Sequence, residues 1–187
     1  MSSVRLMVLG VLSTSEVAHG YTMYRQINGW RAETWTDVKP GSIYHALTYL
    51  QREGYIENAG RKKDSGGPAA TSYRINSKGM TELRRLVSEA LVSYDQEEFT
   101  AGLAWMQVLP RAEVLSLARQ RLKNFTEACQ FMRTLPQDEH PVTPDKHPAI
   151  IGSWMAILDA TAEWLRVFVA HIESGQYRFS DEREPLR

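Results

Sequence analysis

Apolar residues in the first half of the chain recur at helical spacing in four segments. Residues 4–13 and 20–30 predict two short helices. A third helix begins at Pro40 and ends before Gly54, because proline suits the first turn of a helix and glycine the position after the last. Its apolar face consists of Ile43, Ala46, Leu47 and Leu50. A fourth helix begins at Ser77, the expected N-cap residue.

Between the third and fourth helices the apolar period changes from helical to alternating. Residues 55–57 and 72–75 predict two short strands, joined by a basic, glycine-rich segment at residues 61–68. The order of elements is therefore helix, helix, helix, strand, strand, helix, which is the order of a winged helix-turn-helix. In that fold the third helix enters the major groove of DNA, and the hairpin, or wing, contacts the neighbouring backbone.

The second half of the chain is predicted to be helical. Helices are expected over residues 99–109, 111–135 and 150–174, with a proline-rich loop at residues 136–148. The last two helices carry apolar residues on more than one side, which indicates burial against a second subunit as well as within the chain. The expected fold is therefore mainly α, with an N-terminal winged helix-turn-helix, a two-stranded wing and a C-terminal helical dimerisation domain.

These elements set the expected domain boundaries. Residues 1–91 are expected to form the DNA-binding domain. Residues 92–175 are expected to form the dimerisation domain, which is also the expected place of any effector. Residues 176–187 are charged and have no apolar period, so we expect a flexible tail there.

Charge and composition narrow the class of protein. The net charge is zero, but residues 1–90 carry 12 Lys and Arg against 8 Asp and Glu, whereas residues 91–187 carry 10 against 14. A basic first half suits a nucleic-acid partner. The apolar run at residues 6–12 is too short to cross a bilayer and no signal-peptide cleavage pattern follows it, so we expect a cytoplasmic protein without membrane association. The single cysteine, Cys129, is expected to be structural.

The outer face of the third helix and the basic loop supply the candidate DNA contacts. This helix face presents hydroxyl, imidazole and aromatic groups rather than the Glu and Lys mixture of a plain solvated surface. Contacts to base edges and nearby phosphates are expected from Ser42, Tyr44, His45 and Thr48. Contacts to phosphates are expected from Lys39, Arg52, Arg61, Lys62 and Lys63. A solvated helix face and an ordinary charged loop are the alternative interpretations.

No pattern of catalytic or metal-binding residues emerges. No Ser, Cys or Asp motif accompanies His19, which we expect to cap or pack a helix. The acidic and histidine residues at 138–147 lie in the proline-rich loop without the helical spacing that would preorganise metal ligands. Neither a phosphate-binding loop nor a nucleophile elbow is present. We therefore expect a protein that is not an enzyme and that needs no cofactor or metal.

Large aromatic and methionine side chains in the second half allow two interpretations. The residues concerned are Trp105, Met106, Trp154, Met155 and Trp164. They could line a pocket for a small aromatic effector, or they could form the core of a dimer, since such side chains occur in both settings. The dimer core is the favoured interpretation, and the two are compatible.

Several short motifs, taken in order, resemble the PadR family of transcriptional regulators. They are LGVL at residues 9–12, HGY at 19–21, GSIY at 41–44, EGYI at 53–56, YRI at 73–75 and KG at 78–79. Residues 99–103 and 117–121 resemble the C-terminal domain of the longer PadR-like proteins. The resemblance implies a homodimeric repressor that binds an inverted-repeat operator through two winged domains and responds to a small aromatic ligand.

The sequence leaves two questions of function open. Because a fold alone does not establish a function, a winged-helix adaptor that binds proteins and not DNA is the alternative to a DNA-binding regulator. No residue decides between repression and activation.

Overall fold

The computed structural model describes residues 3–29, 38–62, 70–135 and 147–182, with Arg61 and Lys62 described by their backbone. The chain divides into two compact units, Met1–Val108 and Leu109–Arg187. The described residues are mostly helical, with one three-stranded antiparallel sheet. The predicted fold class, mainly α with an N-terminal winged helix, is confirmed.

The first unit contains five α-helices and three strands among its described residues. They are α1 (Ser3–Thr14), β1 (Ala18–His19), α2 (Gly20–Gly29), α3 (Pro40–Arg52), β2 (Ile56–Lys62), β3 (Ala70–Ile75), α4 (Ser77–Val92) and α5 (Gln96–Ala104). A short 3-10 turn, Met106–Val108, follows α5. The order from α1 to α4 is that of the winged helix-turn-helix, with one additional short strand, β1.

Helix α1 forms the centre of this unit. Its apolar residues surround the helix on every side, and α2, α3, α4 and α5 all pack against it. The least exposed side chains are those of Leu6, Met7, Val8, Leu9, Val11 and Leu12, each at most 1% exposed. A helix that is apolar all round is buried on all sides, so α1 fixes the positions of the helices that surround it.

Helix α3 has the predicted start, end and buried face. Pro40 occupies the first turn, and Glu53 is the C-cap residue, with Gly54 next. The side chains of Ile43, Ala46, Leu47 and Leu50 are buried. Anchoring these four side chains in the core turns the opposite side of α3 toward solvent.

The sheet has the strand order β1-β3-β2. The two predicted strands form the hairpin β2–β3, in which Ile56 lies opposite Ile75 and the register shifts between Asn58 and Arg61. Strand β1 adds a third member, with His19 opposite Ser72. Two residues are too few to show an alternating pattern, which is why the sequence did not predict β1.

The ends of two helices differ from the sequence-based expectation. The N-cap of α4 is Asn76 and not Ser77, because the Asn76 side chain accepts a hydrogen bond from the Gly79 amide at 2.9 Å. Helix α5 ends at Ala104, before the predicted end at residue 109, and the 3-10 turn replaces its last part. Helix α5 packs against α1 and α4, so it belongs to the compact unit that holds the winged helix.

The second unit is built on two long helices, α6 (Arg111–Thr134) and α7 (Pro148–Glu173). They pack along their length and are antiparallel, since Arg119 pairs with Glu173 and Arg133 pairs with Asp159. The buried side chains of the two helices are mostly apolar, although α6 also buries Arg121, whose guanidinium carbon lies 4.5 Å from the centroid of the Phe125 ring. The apolar ones include Val114, Ala118, Phe125 and Cys129 from α6, with Ile151, Leu158, Leu165 and Ile172 from α7.

The segment after α7 corrects the expectation of a flexible tail from residue 176. Phe179 is completely buried, and a 3-10 turn follows at Ser180–Glu182. Arg111 donates hydrogen bonds to the carbonyl of Tyr177 at 2.8 Å and to the carboxylate of Glu182 at 2.9 Å, and its guanidinium lies 5.0 Å from the centroid of the Phe179 ring. One buried aromatic residue and one arginine therefore hold residues 176–182, whereas residues 183–187 lie outside the described residues.

The long helices of the second unit do not have the character of membrane spans. Within the described ranges, no helix combines the length and the apolar character that crossing a bilayer requires.

Candidate nucleic-acid interface

The outward side of α3 carries four of the nine predicted DNA-contacting residues. Tyr44 is 54% exposed, and His45, Thr48 and Arg52 are also exposed. These four side chains lie on the same helix as the buried anchor residues, so the core holds them in a common orientation. This surface of α3, residues 44, 45, 48 and 52, is called the recognition face below.

The hydroxyl groups of Ser42 and Thr48 already have partners, Ser42 at the N-cap of α3 and Thr48 within the helix. Ser42 Oγ accepts a hydrogen bond from the Lys39 amide at 3.1 Å and donates one to the Lys39 carbonyl at 2.7 Å. Thr48 Oγ1 donates to the Tyr44 carbonyl at 3.0 Å. A hydroxyl has one proton to donate, so both residues are better suited to accept hydrogen bonds from base amino groups than to donate to phosphates.

The ring of Tyr44 packs against the start of α2. A Cβ atom placed on Gly20 would lie 2.6 Å from Tyr44 Cε1, so only a glycine leaves room for the ring in this position. The preceding residue, His19, caps α2, because its Nδ1 accepts a hydrogen bond from the Thr22 amide at 3.3 Å. The predicted capping role of His19 is therefore observed, and helix α2 supports one edge of the recognition face.

Arg52 lies beside a carboxylate. Its Nε donates to Glu53 Oε1 at 3.0 Å, and its guanidinium lies 5.3 Å from the centroid of the Tyr49 ring. Both partners are on the solvent side, where an ion pair is weak and exchanges readily. Arg52 can therefore leave Glu53 for a phosphate at little cost.

The first two residues of the predicted basic loop, Arg61 and Lys62, belong to strand β2 of the wing. The backbone of β2 places Arg61 opposite Thr71 and Lys62 opposite Ala70, at the end of the hairpin that is distant from α3. Lys63 lies outside the described residues, together with the rest of the tip at residues 64–69. The expected phosphate contacts of these three residues stay predictions.

The five residues proposed for an effector pocket are divided between the two units. Trp105 and Met106 are buried in the first unit, at 4% and 5% exposure. The Trp105 ring fills the space above Gly10, where an added Cβ atom would lie 2.1 Å from Trp105 Cε2. Trp105 is thus a core residue of the winged-helix unit.

The other three residues of the proposed pocket lie on α7. Trp154 is 53% exposed and Trp164 is 45% exposed, whereas Met155 is partly buried. The Trp164 ring stacks on Phe168 with 4.9 Å between the ring centroids. These indole rings are accessible from outside the second unit.

The acidic and histidine side chains do not gather into a metal site in the part of the chain that the structure describes. No group of three or more His, Cys, Asp or Glu side chains that could hold a metal ion occurs in the described ranges. The loop at residues 138–147, which the sequence singled out for its acidic and histidine residues, lies outside those ranges except for His147. His147 Nδ1 accepts a hydrogen bond from the Ala149 amide at 3.2 Å and so caps α7.

The family match to this chain lies entirely within the first unit. A sequence model of a family described as the transcriptional regulator PadR-like family matches residues 8–85. This range begins in α1 and ends in α4, so it contains the recognition face and the wing. No curated protein matches the chain at a significant level.

Several solved structures resemble the chain. Bacillus subtilis PadR in complex with operator DNA is 19% identical, with 91% of this chain and 99% of that chain covered and a TM-score of 0.41. Bacillus subtilis PadR in complex with p-coumaric acid is 20% identical, with 92% and 99% covered and a TM-score of 0.37. A PadR-like transcriptional regulator from Bacillus cereus is 17% identical, with 91% and 98% covered and a TM-score of 0.38.

Proposed function

We propose that this chain is a transcriptional regulator of the PadR-like family, whose sequence model matches residues 8–85, and that it is a repressor that binds an inverted-repeat operator as a homodimer. The family consists of transcriptional regulators and not of enzymes, in agreement with the sequence-based expectation. The observation that carries the proposal is the recognition face of α3. It exposes aromatic, imidazole, hydroxyl and guanidinium groups, whereas its opposite side is anchored in the core.

The arrangement of α3 and the hairpin supports DNA binding in particular. A recognition helix in the major groove reads base edges, and a wing beside it contacts phosphates. Tyr44, His45 and Thr48 carry groups that reach base edges, and Arg61, Lys62 and Lys63 belong to the wing segment. We assign sequence discrimination to the first set and general affinity to the second.

Dimerisation is assigned to the exposed side of α7. One stripe of α7 is buried against α6, and a second apolar stripe is 43–54% exposed: Ile150, Trp154, Ile157, Trp164 and Val167. A single chain that exposes this much apolar surface on one helix has an interaction site there. A second copy of the chain is the proposed occupant, because two recognition helices roughly 34–36 Å apart are needed to read both halves of a palindrome.

The same stripe is the proposed place of an effector. Trp154 and Trp164 present indole rings to the outside of the second unit, and planar aromatic compounds stack on such rings. A ligand bound there would weaken operator binding only to the extent that it prefers a dimer arrangement that does not fit the operator.

A gel-shift titration with the promoter region of the protein's own gene tests DNA binding. The whole chain should give a sequence-selective shift whose affinity falls as salt rises. Replacing Arg61, Lys62 and Lys63 with Ala should weaken binding to the promoter and to unrelated DNA alike, and lower the salt slope by about one for each phosphate that the variant no longer binds. Replacing His45 with Ala should instead reduce discrimination, by about 1–3 kcal/mol if the imidazole binds a base edge.

A protein adaptor would behave differently in the same titration. It would show no salt-sensitive, sequence-selective shift with any promoter fragment. That result would contradict the proposal, and the recognition face would have to be reassigned to a protein partner.

Sedimentation of the whole chain tests the dimer. The unchanged chain should sediment as a dimer, and the variant with Trp154→Asp and Ile157→Asp should sediment as a folded monomer. Gly152→Asp is the matched control, since it adds a carboxylate to α7 at a position where nothing lies within 4 Å. A monomeric unchanged chain would remove the dimer and the effector route together.

A further inference from the structure

We infer that Arg5, in the first turns of α1, is a further DNA contact and binds a backbone phosphate beside the groove that α3 enters. This inference rests on the proposed DNA binding of the first unit. It concerns a residue that belongs neither to the recognition helix nor to the wing.

Arg5 lies at the edge of the predicted DNA-binding surface, although it belongs to a different helix. Its guanidinium carbon is 4.5 Å from the centroid of the Tyr49 ring of α3. Arg5 and Tyr49 line an open cavity of about 330 Å³ together with Ser42 and His45. The last two are residues from which base or phosphate contacts are predicted, so the Arg5 cation lies next to them.

Charge pairing sets Arg5 apart from the arginines around it. Arg52 is paired with Glu53. Arg85 binds both carboxylate oxygens of Glu82, at 2.7 and 2.8 Å, and also contacts Glu89. Within the described part of the chain, Arg5 forms neither an ion pair nor a hydrogen bond, and its guanidinium lies over the Tyr49 ring.

Glu82 is a carboxylate on which Arg5 acts electrostatically. The hydrogen bonds from Arg85 lower the pKa of Glu82, and Arg5 contributes to this shift only after Arg85. Because Arg85 already occupies both oxygens of Glu82, the donors of Arg5 stay available for an external anion.

A phosphate is the anion that fits this position. The planar guanidinium binds two phosphate oxygens at once, and stacking on a tyrosine ring orients it without neutralising its charge. Phosphates line both sides of a groove that holds a recognition helix, so a cation beside α3 meets one of them. Tyr49 then acts as a positioning residue, because its ring holds the guanidinium before DNA arrives.

The test is the salt dependence of binding by the whole chain to a short DNA duplex of mixed sequence. Arg5→Ala should weaken binding and reduce the slope of log K against log salt by about one for each subunit bound. Arg5→Lys keeps the charge and should keep most of the slope. The matched control is Arg84→Ala, which removes an exposed arginine of the same unit that contacts the Val108 carbonyl at 3.4 Å.

Tyr49 variants separate positioning from folding. Tyr49→Phe keeps the ring and should bind as the unchanged chain does, whereas Tyr49→Leu should lose part of the affinity that Arg5→Ala loses. Circular dichroism and thermal unfolding establish that each variant is folded. If Arg5→Ala does not fold, the affinity and salt slope of Arg5→Lys, Tyr49→Phe and Tyr49→Leu decide whether Arg5 binds a phosphate.

The outcomes distinguish the inference from the proposed function. If the unchanged chain binds DNA in a salt-dependent way and Arg5→Ala has the same slope, Arg5 is not a phosphate contact and the proposed function stands. If Arg84→Ala reduces the slope of log K against log salt as much as Arg5→Ala does, the inference is also overturned. The reduction would then follow from the change in net charge and not from a phosphate contact of Arg5. If the unchanged chain binds no DNA, the proposed function fails first and the inference fails with it.

Discussion

The ring of Tyr44, on the recognition face of α3, lies against the backbone of Gly20 at the first position of α2, where a Cβ atom would come within 2.6 Å of it. Because the ring is half exposed, Gly20→Ala should displace the ring without opening the core. We expect the free energy of unfolding to stay within about 1 kcal/mol of the unchanged chain, since alanine also favours the helix. Discrimination between operator and competitor DNA should fall, and we expect a fall of similar size in Tyr44→Ala.

Thermal unfolding and competition gel shifts measure these two effects. Gly29→Ala is the matched control, because it lies on the same helix and nothing lies within 4 Å of the added methyl. A Gly20→Ala variant that discriminates as well as the Gly29→Ala variant would show that the position of the Tyr44 ring is unimportant for reading DNA.

Gly10→Ala should destabilise the first unit. The added Cβ would lie 2.1 Å from Cε2 of Trp105, and both residues are buried, so the ring cannot move aside without a cavity forming elsewhere. Overpacking of this kind lowers the free energy of unfolding by about 1–3 kcal/mol. This loss exceeds the stabilisation that alanine gives over glycine within a helix. Urea unfolding should therefore give a lower midpoint for Gly10→Ala, and a raised or unchanged midpoint for Gly152→Ala, which adds a methyl in open space.

The contact between Glu182 and Arg111 should make the stability of the second unit depend on pH. The hydrogen bond from Arg111 lowers the pKa of Glu182 from its usual value of 4.5. The unfolded chain therefore binds this proton more tightly than the folded chain. The stabilisation is complete above pH 4.5 and is lost as the pH falls through the lowered pKa of the folded state.

Glu182→Gln tests this dependence. The variant should be less stable than the unchanged chain at neutral pH, and the difference should shrink as the pH falls below 4.5, as measured by urea unfolding midpoints. Glu163→Gln, which removes an exposed carboxylate paired with Arg166 on α7, serves as the control. A difference that stays constant with pH would exclude the ionic contact as its cause.

Cys129 should react slowly with thiol reagents in the folded chain. Burial raises the pKa of the Cys129 thiol, and the neighbouring Asp159 raises it further. A raised pKa lowers the thiolate fraction, and the thiolate is the reactive form. The rate of labelling by an aromatic disulfide should therefore be much lower in buffer than in denaturant at the same pH, and equal rates would contradict a structural role.

Much of the fold could be predicted because its signals are local. Helix α3 has a proline at its start, a glycine after its end and four apolar residues at one helical spacing, so its bounds and its buried face were predicted together. The predicted N-cap of α4, Ser77, was wrong, because the neighbouring Asn76 is also a good capping residue and its side chain is the one that accepts the hydrogen bond from the Gly79 amide. The tail was missed because Phe179, a single apolar residue, has no period.

The candidate site shows the same limit. The sequence indicated which side chains of α3 face outward, but it could not show that the Ser42 hydroxyl is engaged by Lys39 or that Arg5 lies beside Tyr49. Lys39 and Ser42 have the spacing of a capping box, but lysine is not a capping residue type, and Arg5 and Tyr49 are joined by no pattern in the chain. Trp105 illustrates the same point, since its place in the core depends on the absence of a side chain at Gly10.

The short strand β1 has a consequence for how operator preference can change. His19 of β1 is opposite Ser72 of β3, and the next residue, Gly20, contacts the Tyr44 ring, so two successive residues connect strand β3 to the recognition face of α3. We therefore expect a substitution that displaces β3 to displace the Tyr44 ring as well. Under the proposed function, a buried residue such as Ser72 can change operator preference without itself contacting DNA.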